Sequence, residues 1–157
     1  SVRGVATAAG CQLVASCDLA IATEDARFAT PGVNIGLFCS TPMVALSRNV
    51  PAKIAMEMLL TGQMLSADRA LAYGLVNKLV ADTDLETATL EMAELIAGKS
   101  AKTLAIGKEA FYQQLNQPLE EAYAYTAKVM ATNLDALDAH EGICAFVEKR
   151  HPVWQDK

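Results

Sequence analysis

The stretch Gly4-Val5-Ala6-Thr7-Ala8-Ala9-Gly10-Cys11-Gln12-Leu13 is built largely from small residues, and it constrains the fold more than any other segment. Side chains this small cannot fill a hydrophobic core alone. They let the backbone come close to another segment or to a ligand. Residues 4–9 read as a loop or turn, and Gly10 to Ser16 as a short helix. A helix beginning there directs unpaired N–H groups and the positive end of its dipole out of its first turn. Taken alone, the segment suits either a tight helix–strand packing turn or a cradle for an electron-rich oxygen.

The next residues alternate short apolar runs with breakers. Leu19-Ala20-Ile21-Ala22 suits a buried strand, Thr23 to Ala26 a turn, and Arg27-Phe28-Ala29-Thr30 a second strand ended by Pro31-Gly32. Helices are expected from Thr41-Pro42 to near Asn49, and from Pro51 to Thr61-Gly62 with Ile54, Met58 and Leu59 inward. Another starts at Ser66, a good N-cap, and ends at Tyr73-Gly74; Leu75 to Val80 reads as a strand. From Asp84 onward the pattern is helical. Leu85, Leu90, Leu95 and Ile96 roughly share one face, followed by Leu104, Ala105, Lys108, Phe111 and Leu115 on the next helix. Pro118 opens a third helix with Ala122, Tyr125, Val129 and Met130, and the last carries Leu137, Ile143, Phe146 and Val147. The pattern leaves open whether these faces form a core within the chain or meet partner chains.

The 157 residues suffice for one domain, and the absence of a Ser/Pro linker or repeat points to a single two-layered one. With 52% apolar and 20% charged residues the composition is that of a folded chain. A net charge of −5 argues against nucleic acid or an anionic membrane as main partner. No apolar run approaches the roughly 18 residues of a membrane span. Cys11, Cys17, Cys39 and Cys144 have no C-x-x-C spacing, and His140 and His151 lie far from the first three, so a zinc site is not expected. Reduced, mostly buried thiols in a reducing compartment are. Ser1-Val2-Arg3 lacks an initiator Met and any targeting pattern, which suggests a fragment, an alternative product or a processed chain.

Five segments stand in a fixed order: G-x-A-x-A-A-G-C-x-L-x-x-x-C-D at 4–18, A-R-F-A-T-P-G-V-N-I-G at 26–36, M-E-M-L-L-T-G at 56–62, S-A-x-x-A-x-x-x-G-L-V-N-K-L-V at 66–80, and E-G-I-C-A-F-V-E-K-R at 141–150. Together they resemble the crotonase (enoyl-CoA hydratase/isomerase) family over nearly the whole chain. The Gly36-Leu37-Phe38-Cys39-Ser40-Thr41-Pro42 stretch is similar to a mitochondrial branch of it. The resemblance implies an α/β (α+β) crotonase-like fold of ββα turns followed by C-terminal helices that build homotrimers or hexamers. Residues 1–80 would be the C-terminal part of the core, and 81–157 the helical oligomerisation region. The implied partner is an acyl-CoA thioester, with coenzyme A entering as part of the substrate and no separate cofactor or metal. No nucleic acid or membrane is expected as a partner. The mitochondrial matrix is the expected compartment, the cytoplasm the alternative.

In this family two backbone N–H groups polarise the thioester carbonyl. By position the second donor is Ala9, flanked by Ala8 and Gly10; the first lies upstream of Ser1. Removing one such donor from an oxyanion hole costs about 3–4 kcal/mol of barrier in measured enzymes. Phe146 and Lys149 match positions that reach the CoA of the same or a neighbouring subunit, with Lys149 able to pair a phosphate.

The pattern is broken where hydratases carry two glutamates. Gln12 stands at one position and Gly32 at the other. A glutamine can hydrogen-bond but cannot exchange a proton near neutral pH. General acid–base assistance is worth roughly 10²–10⁴-fold per group, so ordinary hydratase activity is not expected. Cys39-Ser40-Thr41-Pro42-Met43 remodels the adjoining wall, but no histidine lies in either motif to activate a thiol or hydroxyl. Asp18 reads as a backbone anchor, and Glu24 and Asp25 as solvated turn residues. Two functions remain: an enzyme working by oxyanion stabilisation without the glutamate pair, or a non-catalytic acyl-CoA-binding, regulatory or structural subunit of lipid metabolism.

Overall fold

A computed structural model describes residues 1–156, and the chain divides into two compact units, the first ending at Met92 and the second beginning at Ala93. In the first unit, β1 (Val5–Thr7), β3 (Arg27–Ala29) and β4 (Leu65–Ser66) form one sheet in the order β1-β3-β4. β1 runs parallel to β3 and β4 antiparallel to it. β2 (Ile21–Thr23) and β5 (Lys78–Val80) make a separate parallel pair. The helices of this unit are α1 (Ala9–Ser16), α2 (Ser40–Asn49), α3 (Ala52–Thr61) and α4 (Ala67–Ala72), with a 3₁₀ turn at Pro31–Ile35.

The sheet corrects the reading of residues 4–9 as a loop. Val5, Ala6 and Thr7 pair with Arg27, Phe28 and Ala29, so the backbone hydrogen bonds of a distant strand decide their conformation, not their own propensity. The two other expected strands shorten for a related reason. Ala20 N–H donates to Asn77 Oδ1 (2.7 Å) and Asn77 N–H returns a bond to Ala20 O (2.7 Å), which closes the ends of β2 and β5 with a side chain in place of a ladder. Leu75 and Val76 are buried in the turn before β5 and do not pair as a strand.

Phe28, Leu46, Met58, Leu59 and Leu65 fill the core, and Ala6, Cys11, Ala22, Ala26, Ala55, Ala67 and Ala70 let the elements approach. Helix signals were legible. Gly62 takes a left-handed φ of 62° at the end of α3, and Ser66 Oγ accepts the Arg69 N–H at the start of α4. The thiols divide evenly: Cys11 is buried, Cys39 half-buried, and Cys17 and Cys144 exposed, so burial is not their common state.

The second unit holds the end of α5 (Leu85–Ala97) and all of α6 (Ala101–Gln114), α7 (Leu119–Leu134) and α8 (Leu137–Glu148). Its closest packing is made by Ala110, Ala122, Ala136 and Ala145. The large apolar residues of the predicted faces, among them Leu104, Phe111, Met130, Ile143 and Val147, stand in solvent, with Phe146 84% exposed. The helical faces therefore do not form a plain intramolecular core. Exposed apolar side chains of this size are a feature of interaction surfaces where they gather into a patch.

Beyond α8 the chain reverses. Lys149 adopts a left-handed φ of 56°, and Arg150 N–H bonds to Ala145 O (3.0 Å). Segment 150–156 then runs back along α8. The Arg150 guanidinium and the Val153 N–H hold the Glu141 carboxyl well below its ordinary value, at about 2. The Ser100 hydroxyl, then the Gln155 N–H, hold Asp138 low. Both shifts are depressions, so their stabilisation is full above the ordinary carboxylate range near pH 4.5 and is lost as pH falls towards 2. Trp154 fluorescence is expected to hold steady down to that range and then change as the segment is released. A trace already changing near pH 6, or one still flat at pH 2, would contradict this assignment.

Candidate functional site

The parallel pairing of β1 with β3 brings the two segments singled out by sequence to the same end of the same sheet. β1 runs into Ala8 and α1, and β3 runs into Thr30 and the turn Pro31–Ile35. Ligands bind in α/β folds at such carboxyl ends of parallel strands. Ala8 N–H donates to Ala29 O (2.9 Å), which fastens the two exits together.

The start of α1 is bare. Ala8 has φ 47° and ψ −114°, and no side chain caps the helix. The first N–H groups, those of Ala9 and Gly10 among them, have no intrahelical acceptor. A non-glycine residue with positive φ stores on the order of 1–2 kcal/mol of strain, and such strain gathers at functional sites. A Cβ built on Gly10 meets nothing within 4 Å, so there is room for a side chain at that position. Cys11 and Ala15 face the core, while Gln12 is half-buried and its side-chain amide has no hydrogen-bond partner among the described residues.

Gly32 is as closed as Gly10 is open. A Cβ at Gly32 would lie 2.7 Å from the Leu37 carbonyl oxygen and 2.9 Å from Cys39 Sγ. Leu37 N–H donates to Gly32 O (2.9 Å), and Gly32 N–H donates to Cys39 Sγ (3.3 Å). Gly36, with φ 77°, makes the reversal between them. Burial first, and Cys39 nearby second, push the Cys11 thiol up to about 11, so it stays protonated and unreactive at neutral pH.

Thr30 escaped the sequence reading. It is fully buried, and its hydroxyl has no partner among the described residues, two positions from Gly32. Its place inside the A-R-F-A-T-P-G segment was the only signal. Asp138 and Ser100 were missed as well, because a lone acidic residue in a helix's first turn ordinarily reads as solvated.

Phe146 lies on α8 and Lys149 just past its end, in the second unit; both are exposed, and Lys149 has no ion-pair partner among the described residues. The structure brings Ala8, Ala9 and Gly10 to one sheet end with Gly32. Phe146 and Lys149 belong to the second unit.

Residues 1–157 match the family model described as enoyl-CoA hydratase/isomerase. Among curated proteins, the human enoyl-CoA hydratase domain-containing protein 3, mitochondrial, is 54% identical over 153 residues, covering 98% of this chain and 50% of that protein. The solved structure of an enoyl-CoA hydratase from Mycobacterium smegmatis superposes with a TM-score of 0.95 at 54% identity, over 97% of this chain and 59% of that one. The crystal structure of human enoyl-CoA hydratase domain-containing protein 3 superposes at 0.94 and 54% identity, over 96% and 60%. The chain thus spans about half the length of the curated relatives it matches.

Proposed function

This chain belongs to the enoyl-CoA hydratase/isomerase family, and from that we propose that it binds acyl-CoA thioesters of fatty-acid metabolism at the start of α1, without ordinary hydratase chemistry. The observation that carries the reading is the uncapped turn Ala8–Gly10, whose first N–H groups have no helical acceptor and where Gly10 leaves room beside the backbone. Ala9 N–H would donate to the thioester oxygen. Ala8 and Gly10 would shape its seat, and Gln12 could hold a water or a polar group of the ligand without moving a proton. Lys149 would pair a phosphate of the CoA bound by the same or a neighbouring copy of the chain, and Phe146 would pack on its apolar parts. The exposed apolar faces of α5 to α8 suit a homotrimer or hexamer. The mitochondrial names of the relatives favour the matrix. A second reading, a binding or regulatory subunit without catalysis, is favoured by Gly32, where no side chain fits.

Calorimetric titration with butyryl-CoA tests the site, using Gly10→Ala as the probe. The added methyl enters open space in a helix, so stability should be unchanged or rise by up to about 1 kcal/mol. Affinity should fall, because the methyl occupies the proposed seat. Equal affinity in both proteins would move the thioester elsewhere, and no heat of binding at millimolar ligand would remove the reading.

A further inference from the structure

Cys11 and Cys39 stand at the starts of two helices that pack against each other. Cys11 lies in the first turn of α1, and Cys39 is the residue before α2. At the far ends, Asn49 Nδ2 donates both to Ala45 O of its own helix (2.8 Å) and to Ala15 O of α1 (2.8 Å). From that tie α1 runs back about 6 Å to Cys11, and α2 runs back about 9 Å from Ala45 to Cys39. Both thiols reach one apolar cluster: Cys11 is 1% exposed within it, and half-buried Cys39 packs against it. Cys39 is also near enough to add to burial in holding the Cys11 thiol protonated.

The two thiols differ in access. Cys39 is open in part to solvent, and its sulfur accepts the Gly32 N–H (3.3 Å). Cys11 is sheltered, so a soluble oxidant meets Cys39 first. The turn Ala8–Gly10 leads directly into Cys11, and Cys39 ends the loop that closes over Gly32. A bond between the sulfurs would therefore join the two segments that the sheet already brings to one end.

We propose that Cys11 and Cys39 are a redox pair: a hydroperoxide oxidises Cys39, and Cys11 resolves it into a disulfide that ties the first turn of α1 to the loop over Gly32. The peroxide O–O bond breaks as the Cys39 sulfur takes one oxygen, and water or an alcohol leaves. The Cys11 sulfur then displaces hydroxide from the sulfenic acid. An S–S bond forms, the S–O bond breaks, and the Cys11 proton leaves with the hydroxide as water. Two thiols are oxidised and one peroxide is reduced. Attack within one folded chain replaces a collision, which offsets the small thiolate fraction of a buried thiol. The latch turns Cys39 Sγ away from Gly32, whose N–H loses its acceptor. Its hold on the thioester seat rests on the acyl-CoA reading above.

The test uses the full chain with Cys17→Ser and Cys144→Ser, which leaves only these two thiols. It is treated with hydrogen peroxide, unfolded in iodoacetamide, digested and mapped by mass spectrometry. The expected product is a peptide pair joined through Cys11 and Cys39 and released by dithiothreitol. Hydrogen exchange at Gly32 should rise on oxidation, and affinity for butyryl-CoA should fall at least about fivefold, the lower end for coupled sites. Dithiothreitol should reverse both. Cys39→Ala should abolish the response. Cys11→Ala puts a small apolar residue among the alanines of the core, and there peroxide should carry Cys39 on to sulfinic acid, which dithiothreitol does not reverse. Sulfinic acid at Cys39 with Cys11 still present and alkylated overturns the pair. A joined pair with unchanged butyryl-CoA affinity overturns its hold on the seat. No heat of binding in either redox form removes the acyl-CoA reading instead, and the peptide map with the Gly32 exchange then decides the pair by itself.

Discussion

The double variant Gln12→Glu/Gly32→Glu is expected to show no gain in crotonyl-CoA hydration, although it restores both residue types that hydratases use. Chemistry alone would predict the opposite, since each acid–base group is worth roughly 10²–10⁴-fold. Space decides the matter. The first atom of any side chain at Gly32 falls 2.7 Å from the Leu37 carbonyl oxygen, a backbone atom held by its own residue's N–H bond to Gly32 O. Cys39 Sγ, at 2.9 Å, blocks the neighbouring direction. Replacing Cys39 with alanine clears the sulfur and leaves the carbonyl. A glutamate at 32 must therefore push the 32–37 loop outward, and overpacking of this kind typically costs about 1–3 kcal/mol. Loss of crotonyl-CoA absorbance over time is the measurement. Hydration approaching that of a two-glutamate enzyme would show that this loop yields easily and that only the side chains were missing.

Phe28→Ala should have the largest effect on folding. Phe28 is fully buried at the centre of β3, with Ala6 beside it across the parallel ladder and Leu65 across the antiparallel one. Both ladder partners are held by strand backbone, which limits how far the core can close on the void. Removing a buried phenyl ring costs about 3–5 kcal/mol, against a total of roughly 5–15 kcal/mol for a domain. The urea midpoint should fall sharply. Because β3 also delivers Thr30 and Gly32, ligand binding should be lost under conditions where the wild type still binds. A change below about 1 kcal/mol would place the core elsewhere.

Much of the first unit was legible. The caps and breakers at Pro31, Gly62, Ser66 and Gly74 act locally, through φ and a single side-chain bond, so the sequence reveals them. β1 was not legible, because Val5-Ala6-Thr7 becomes a strand only when Arg27-Phe28-Ala29 lies beside it. The apolar residues of α5 to α8 gave helices at nearly the right places. Their period identified a face and said nothing about what covers it.

The sequence by itself determined which groups positions 12 and 32 can offer. Gln12 and Gly32 carry no titratable group, and no folding can supply one. It also determined that Ala8, Ala9 and Gly10 leave the backbone accessible. Only the tertiary structure decided that Gly10 has room for a side chain while Gly32 is sealed. The atoms that seal Gly32 belong to Leu37 and Cys39, which the 3₁₀ turn and the Gly36 reversal bring back onto it. Close packing is a property of neighbours in space. A residue's type names the group it offers, and the fold decides whether there is room for it.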